Sequence, residues 1–373
     1  MARYPEEAKE QVRDAVDFAE LVGTRTALSP AGAGGRLEAC CVFHEERTPS
    51  LSIDPVQKLY HCFGCGVGGD VFQWVADTEG LDFRGSMEFL ADRYGVPLER
   101  FVENPAAAAA RKQTERLHEL LDRTAAFYER FLWQSSEAAP AREYLAARGL
   151  QEPALRAYRV GFAPTGSDVV LKASRAAGFS AVECDAAGLS QRVRSGATID
   201  RFRGRIMFPL ADRRGRVVGF GARALGDQAK PKYLNSSDSR LFTKGRQLYG
   251  AHVARAAAAK QQSVVLVEGY TDVIALHQAG VRNVVGSMGT AVTEHQVTEL
   301  VRLAATVKLA LDADAAGEQA VLRTAKVAAG RPLTLRVIAM PEGQDPADVA
   351  AGPAGAAAIA ELVADSVPLV SFR

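Results

Sequence analysis

Val264-Val-Leu-Val-Glu268-Gly269-Tyr270-Thr271-Asp272 and, further on, Leu309-Ala-Leu-Asp312-Ala-Asp314-Ala-Ala-Gly317 decide how this chain is read. Each opens on a short aliphatic run, ends abruptly in carboxylates and small residues, and passes into a helical pattern. Apolar runs of this length alternating with helices read as buried strands of a parallel sheet. Four strand–helix steps can be drawn: 264–267 into 272–278, 284–285 into 294–303, 307–311 into 318–328, and 333–339 into a segment beginning at Asp345. Gly280 and Gly330 stand where a helix needs a left-handed residue after its last turn, and Gly289-Thr290 and Gly317 leave room beside a phosphate or metal. Ligands of such sheets sit at the carboxyl ends of the strands. Glu268, Asp312 and Asp314 fall there, and three converging acids repel unless a cation lies between them, so the pattern predicts a Mg²⁺ or Mn²⁺ site. Asp345 and Asp348, past the fourth strand, extend the metal shell. Singly, Glu268 reads equally well as a strand end and either Asp as a helix cap; the combination carries the metal reading.

At 373 residues the chain has room for two or three domains. Its 47% hydrophobic and 24% charged residues are ordinary for a soluble globular protein. No apolar run reaches the roughly 18 residues that span a bilayer, and the charged start, Met-Ala-Arg-Tyr-Pro-Glu-Glu, has no signal-peptide core. A cytoplasmic protein without membrane contact is expected, its five cysteines serving as ligands or thiols. The net charge of +1 hides a segregation: residues 192–246 carry 14 Lys/Arg against 4 Asp/Glu, a balance of +10, whereas 263–318 carry 3 against 7, a balance of −4. A basic block leading to an acidic pocket suits a polyanion held beside bound metal; solvated charge is the plainer alternative.

Residues 1–102 read as a zinc ribbon. Cys41-x-x-His44 and Cys62-x-x-Cys65, 17 residues apart, supply four ligands for one tetrahedral Zn²⁺, with no position left open, so the zinc is structural. Gly64 and Gly66 allow the backbone to turn toward the sulfurs. Cys40 reads as a bystander and Cys184 as a core residue. Residues 8–21 read as one amphipathic helix, 51–54 and 58–62 as strands, and 70–78 and 86–94 as helices. Phe43, Tyr60, Phe63, Phe72 and Trp74 are candidates to stack on unpaired bases, against the plainer role of packing a small core. Residues 103–116 form a linker in which Asn104-Pro105 and an alanine run start a helix or act as a tether; 114–133 is a long helix.

A basic subdomain follows over residues 117–260. Residues 201–210 and 215–223 form a hairpin with alternate arginines, among them Arg203, and Lys232-Tyr233 and Lys244 continue the pattern. Cations interleaved with rings suit a groove for single-stranded nucleic acid.

Taken in order, Cys41-x-x-His44, Cys62-Phe-Gly-Cys65-Gly-x-Gly-Gly-Asp70, Arg205-Ile-Met-Phe-Pro209, Pro231-Lys-Tyr-Leu-Asn-Ser236, Glu268-Gly-Tyr-x-Asp272-Val, Gly289-Thr-Ala-x-Thr293 and Asp312-x-Asp314-x-Ala-Gly317 resemble the bacterial DnaG-type DNA primases over essentially the whole chain. The resemblance implies a multidomain α+β and α/β protein: the zinc ribbon, the mixed basic subdomain, and a TOPRIM-type parallel-sheet catalytic subdomain over 261–348. Residues 349–373 would open a helical subdomain. It implies that Glu268, Asp312 and Asp314 are catalytic acids and metal ligands, joined by Asp345. Arg148, Arg223, Lys232, Tyr233 and Lys244 would form a template-binding ridge. The activity implied is metal-dependent synthesis of short RNA primers from ribonucleoside triphosphates on single-stranded DNA, leaving an RNA primer/DNA hybrid, in the nucleoid at the replisome. The family continues into a helicase-binding region, so the chain is expected to be a piece of a longer protein whose partner is the replicative helicase. Three departures stand out: Val42 replaces a usual Pro beside a second cysteine, Asp-Pro-Ala-Asp replaces Asp-Pro-Asp, and the chain stops at Arg373. The alternatives are a TOPRIM nuclease or topoisomerase, and a non-catalytic zinc protein that binds single strands.

Overall fold

Ser263–Val267, Val284–Gly286, Thr306–Leu309 and Thr334–Val337 are parallel strands in the computed structural model, which describes residues 4, 6–31, 35–98, 105–226, 230–288, 292–311 and 315–371. Asp312, Asp314, Gly289 and Thr290 lie outside the described residues. Ser263–Val267 is flanked by Val284–Gly286 on one side and Thr306–Leu309 on the other, with Thr334–Val337 beyond the latter. Val264 to Val267 are fully buried, because helices Tyr270–Gln278, Glu294–Leu303 and Ala315–Ala328 cover a sheet that must hide both faces. Gly280 and Gly330 adopt φ of 99° and 75°, the left-handed values expected after a helix. The expectation that residues 349–373 open a helical subdomain is not tested by the part of the chain described. Helix Gly355–Ala364 buries Ile359 in the main core, and Val367–Pro368 adds an antiparallel edge strand against Thr334–Val337, an edge where a proline costs no ladder bond.

A second, antiparallel sheet runs in the order Tyr233–Asn235, Val217–Ala224, Arg205–Ala211, Gly161–Ala163. The hairpin expected from the sequence forms, but two of its arginines do not line an open groove: Arg205 is 8% and Arg223 5% exposed. The reason is that both faces of this sheet are covered. On one, Tyr128 of the long helix packs edge-on against Phe220 at 5.4 Å; on the other, Tyr270 stacks on Phe208 at 4.8 Å with the rings 12° from parallel. The Arg205 guanidinium meets its desolvation by donating to the Pro231 carbonyl at 2.8 Å.

The chain divides into two units, Met1–Ala109 and Ala110–Arg373. In the first, five short strands from Ser29–Pro30 to Gly68–Asp70 pair in sequence order, and helices Val71–Glu79 and Phe83–Arg93 pack beside them. The single helix expected over 8–21 is two, Glu6–Ala15 and Phe18–Gly23. The Asp17 carboxylate accepts the Glu20 amide at 2.9 Å and starts a new helix there. The alanine run is no tether: Pro105–Gln134 is one continuous helix, proline being at home in its first turn.

The contact joining the two sheets of the second unit is close. A Cβ at Gly221 would stand 2.3 Å from the Tyr270 ring. Gly221→Ala is therefore expected to destabilise the second unit by about 1–3 kcal/mol, seen as a lower urea midpoint.

Candidate metal centres and nucleic-acid interface

Cys41, His44, Cys62 and Cys65 arrive from two turns of the ribbon, and their ligand atoms all lie within 4.8 Å of one another. Cys41 Sγ is 3.9 Å from Cys65 Sγ, and Cys62 Sγ is 3.9 Å from His44 Nδ1. The Glu46 carboxylate lies 3.2 Å from His44 Nε2, which leaves Nδ1 facing the sulfurs. Glu46 also accepts the Cys41 amide at 2.6 Å and the Ser50 amide at 3.2 Å, fixing the first ligand turn. A Cβ at Gly64 would meet His44 Nε2 at 2.7 Å, so glycine is required there. Burial pushes the Cys41 thiol up to about 12. At Cys62 burial acts the same way but is outweighed: the Ser50 hydroxyl and the Cys65 and Gly64 amides bring it down to about 6. Three sulfurs and one imidazole nitrogen at this spacing fit zinc in a closed shell. Cys40 stays outside the cluster, and Cys184 is buried in the core.

Of the five aromatics considered for base stacking, Tyr60, Phe72 and Trp74 are buried, and Phe43 lies stacked on Tyr60 at 6.0 Å. The small core consumes them. Phe63 is 78% exposed and leans on His61 at 4.8 Å, so it alone of the five presents its ring to solvent.

In the second unit Glu268 directly follows strand Ser263–Val267 and is half-buried. The neighbouring strand Thr306–Leu309 runs parallel to it and precedes Asp312 and Asp314 in the sequence. The turn after Glu268 is held by Asp272, which is 7% exposed and accepts the Gly269 amide at 2.9 Å. Asp345 caps helix Pro346–Ala351 by accepting the Asp348 amide at 2.7 Å. Arg148 stands against this pair, 3.5 Å from Asp345 and 3.7 Å from Asp348. The structure thus places a residue of the expected basic ridge against two of the five acids, Asp345 and Asp348, which a sequence separation of 197 residues had hidden.

Arg223 and Tyr233 are register partners across adjacent strands, and the guanidinium donates to the Tyr233 hydroxyl at 3.1 Å. It lies 4.3 Å from the centre of the Tyr144 ring and 5.7 Å from that of Tyr233. Tyr144 was not found from sequence: a tyrosine in helix Ala139–Ala147 carries no signal that it will seat an arginine nearly 80 residues away. One Nη of Arg223 and the Tyr144 hydroxyl are buried without a partner among the described residues, the kind of orphan that asks for an explanation. Tyr233 is exposed at the start of the edge strand and Lys232 just before it, Lys244 is half-buried, and Arg203 is exposed in the turn before Arg205–Ala211. The structure brings Arg223, Lys232 and Tyr233 together.

Three segments of the chain match known families. Residues 4–104 match the CHC2 zinc finger family, 127–255 the N-terminal domain of the DNA primase catalytic core, and 265–350 the Toprim-like family. The DNA primase of Deinococcus radiodurans is 39% identical over 357 residues, which cover 95% of this chain and 60% of that protein. The chain thus spans about three-fifths of the length of this relative. The Aquifex aeolicus primase structure, comprising zinc-binding and RNA polymerase domains, superposes with a TM-score of 0.62 at 29% identity over 96% of this chain and 85% of that one. A DnaG primase catalytic domain bound to single-stranded DNA superposes with a TM-score of 0.63 at 37% identity, covering 70% of this chain and 82% of that one. With relatives of this identity along nearly its whole length, the chain belongs to the bacterial DnaG-type DNA primase family.

Proposed function

We propose that this protein synthesises short RNA primers on single-stranded DNA by metal-dependent nucleotidyl transfer. One observation carries the reading. Two residues past Glu268, Tyr270 donates its hydroxyl to Asn235 Oδ1 at 2.7 Å, and Asn235 lies two residues past Tyr233 on the edge strand. The acidic strand end and the basic, aromatic edge therefore share one core, as a template held beside reacting phosphates requires. The single-stranded DNA bound by the related catalytic domain supports the same assignment.

Glu268, Asp312, Asp314, Asp345 and Asp348 would hold the catalytic cation, and their all-oxygen donor set suits Mg²⁺ or Mn²⁺. Bound there, the metal supplies neutralising charge for a nucleoside triphosphate and lowers the pKa of an attacking 3′-hydroxyl. Arg148 balances Asp345 and Asp348 beside that site. Lys232, Lys244 and Arg203 pair with template phosphates, Tyr233 offers a ring to a base, and Arg223 is kept in place between Tyr144 and Tyr233. In the zinc unit Phe63 is the ring open to an unpaired base. By this assignment 117–260 carries the template and 261–348 the chemistry.

Incubation with ribonucleoside triphosphates, Mg²⁺ and a single-stranded template is expected to give short RNA. Asp312→Ala and Glu268→Gln should abolish it while DNA binding persists, and retained synthesis by either would refute the assignment. Ridge roles separate by salt. Lys232→Ala should flatten the slope of log K against log salt by about 0.7, one single-strand phosphate contact. Tyr233→Ala should cost about 1–3 kcal/mol with the slope unchanged, as measured by fluorescence anisotropy. For the zinc site, Glu46→Ala is expected to lower zinc affinity about 10–100-fold in chelator competition, since it frees the His44 ring.

A further inference from the structure

Within the second unit lies a cavity of about 240 Å³ that none of the acids or ridge residues named above lines. It is formed where the turn after strand Arg205–Ala211, the short helical turn Lys244–Arg246, helix Ala251–Gln261 and helix Glu294–Leu303 meet. Its floor is apolar, with Leu248 only 4% exposed. Around it stand four arginines, Arg213, Arg246, Arg255 and Arg302, against one carboxylate, Glu299, which leaves a balance of +3. Glu299 is already shared: Arg213 Nε donates to its Oε2 at 2.7 Å and Arg302 Nη1 to its Oε1 at 2.8 Å. Asp212, on the adjoining turn, is taken by Arg216 at 2.7 Å and by backbone amides. Among the described residues, the guanidinium groups of Arg246 and Arg255 have no hydrogen-bond or ion-pair partner.

Four guanidinium groups around a recess repel one another, and a concave low-dielectric wall focuses their field on the space between them. The guanidinium fork matches phosphoryl oxygens two at a time. A track for internal phosphodiesters must let a strand enter and leave, whereas a recess with an apolar floor admits a chain end. We propose that this cavity binds a diphosphate or triphosphate, free or as the tail of a nucleotide, without a divalent metal. Glu299 holds Arg213 and Arg302 on one side, and Arg246 and Arg255 supply the forks not already engaged.

The test is calorimetric titration of the zinc-loaded chain, in buffer free of added divalent metal, with pyrophosphate, tripolyphosphate and ATP in turn. These conditions silence metal-dependent binding at the acidic pocket, so failure here leaves the primer-synthesis reading untouched and the converse also holds. Saturable binding of one equivalent of tripolyphosphate is expected. Arg246→Ala and Arg255→Ala should each weaken it about tenfold, and the double variant should lose it. Both arginines are exposed, so the thermal midpoint should not move. Binding of ATP as tight as that of tripolyphosphate identifies a nucleotide tail as the occupant; binding of the inorganic anions alone identifies free oligophosphate. Absence of saturable binding, or unchanged binding by the double variant, overturns the proposal. So does an equal loss of affinity for single-stranded DNA lacking terminal phosphates, which would make the recess part of the strand track.

Discussion

The Tyr270 ring, pressed flat on Phe208 and against the bare backbone of Gly221, is the contact on which the second unit turns. It belongs at once to the helix that starts behind Glu268 and to the core beneath the antiparallel sheet. Neither sheet sets the distance between acids and basic edge on its own. A loop between them would leave that distance free to vary on the nanosecond to microsecond scale. A buried aromatic stack with a hydrogen bond at its tip fixes it instead, and the absent Cβ at position 221 is what lets the ring approach. Tyr270 is 3% exposed, and its phenol is held well above its ordinary pKa by burial, so the hydroxyl remains a donor to Asn235.

The first unit solves a different problem with the same economy of means. Its strands are two to four residues long and could not persist as a free sheet. Two ligand turns drawn onto one ion cross-link it where apolar area is scarce. Glu46 matters here because one carboxylate ties the histidine ring, the Cys41 amide and the Ser50 amide, holding the first ligand turn together, while the Ser50 hydroxyl reaches Cys62 of the second.

Much of this was legible beforehand, for identifiable reasons. Buried parallel strands have no polar face, so 264–267 and 307–309 announce themselves as unbroken aliphatic runs. Metal ligands are legible because spacing and chemistry coincide within a few residues, as in Cys62-Phe-Gly-Cys65. What stayed hidden depends on partners distant in the chain. Arg203, Arg205 and Arg223 look equivalent in a hairpin, yet burial separates them, because what covers each strand arrives from elsewhere. Arg148 meeting Asp345, and Tyr144 seating Arg223, are likewise products of the fold. The break at Asp17 was missed for a local reason: a short polar residue inside an apolar pattern reads as helix surface until its carboxylate is seen capping.

Charge segregation along the chain acquires its meaning only after the engaged side chains are subtracted. Within the basic block Arg216 is neutralised by Asp212, Arg213 shares Glu299 with Arg302, and Arg205 is spent on backbone carbonyls. Arg205 and Arg216 thus leave little field for a ligand, whereas the Arg213–Arg302 pair keeps a net positive charge at the recess. Two sets can be separated among the rest: Arg203, Lys232 and Lys244, assigned to the template, and Arg246, which with Arg255 from beyond the block lines the recess. Lys244 and Arg246 are the two ends of one helical turn, whose middle carbonyl, that of Gly245, accepts the Thr293 hydroxyl from the cap of helix Glu294–Leu303. That turn therefore fixes one cation of each set to the same helix cap, and any displacement of the cap shifts both together. The block is therefore not one charged surface: its division is set by which cations the fold has already engaged.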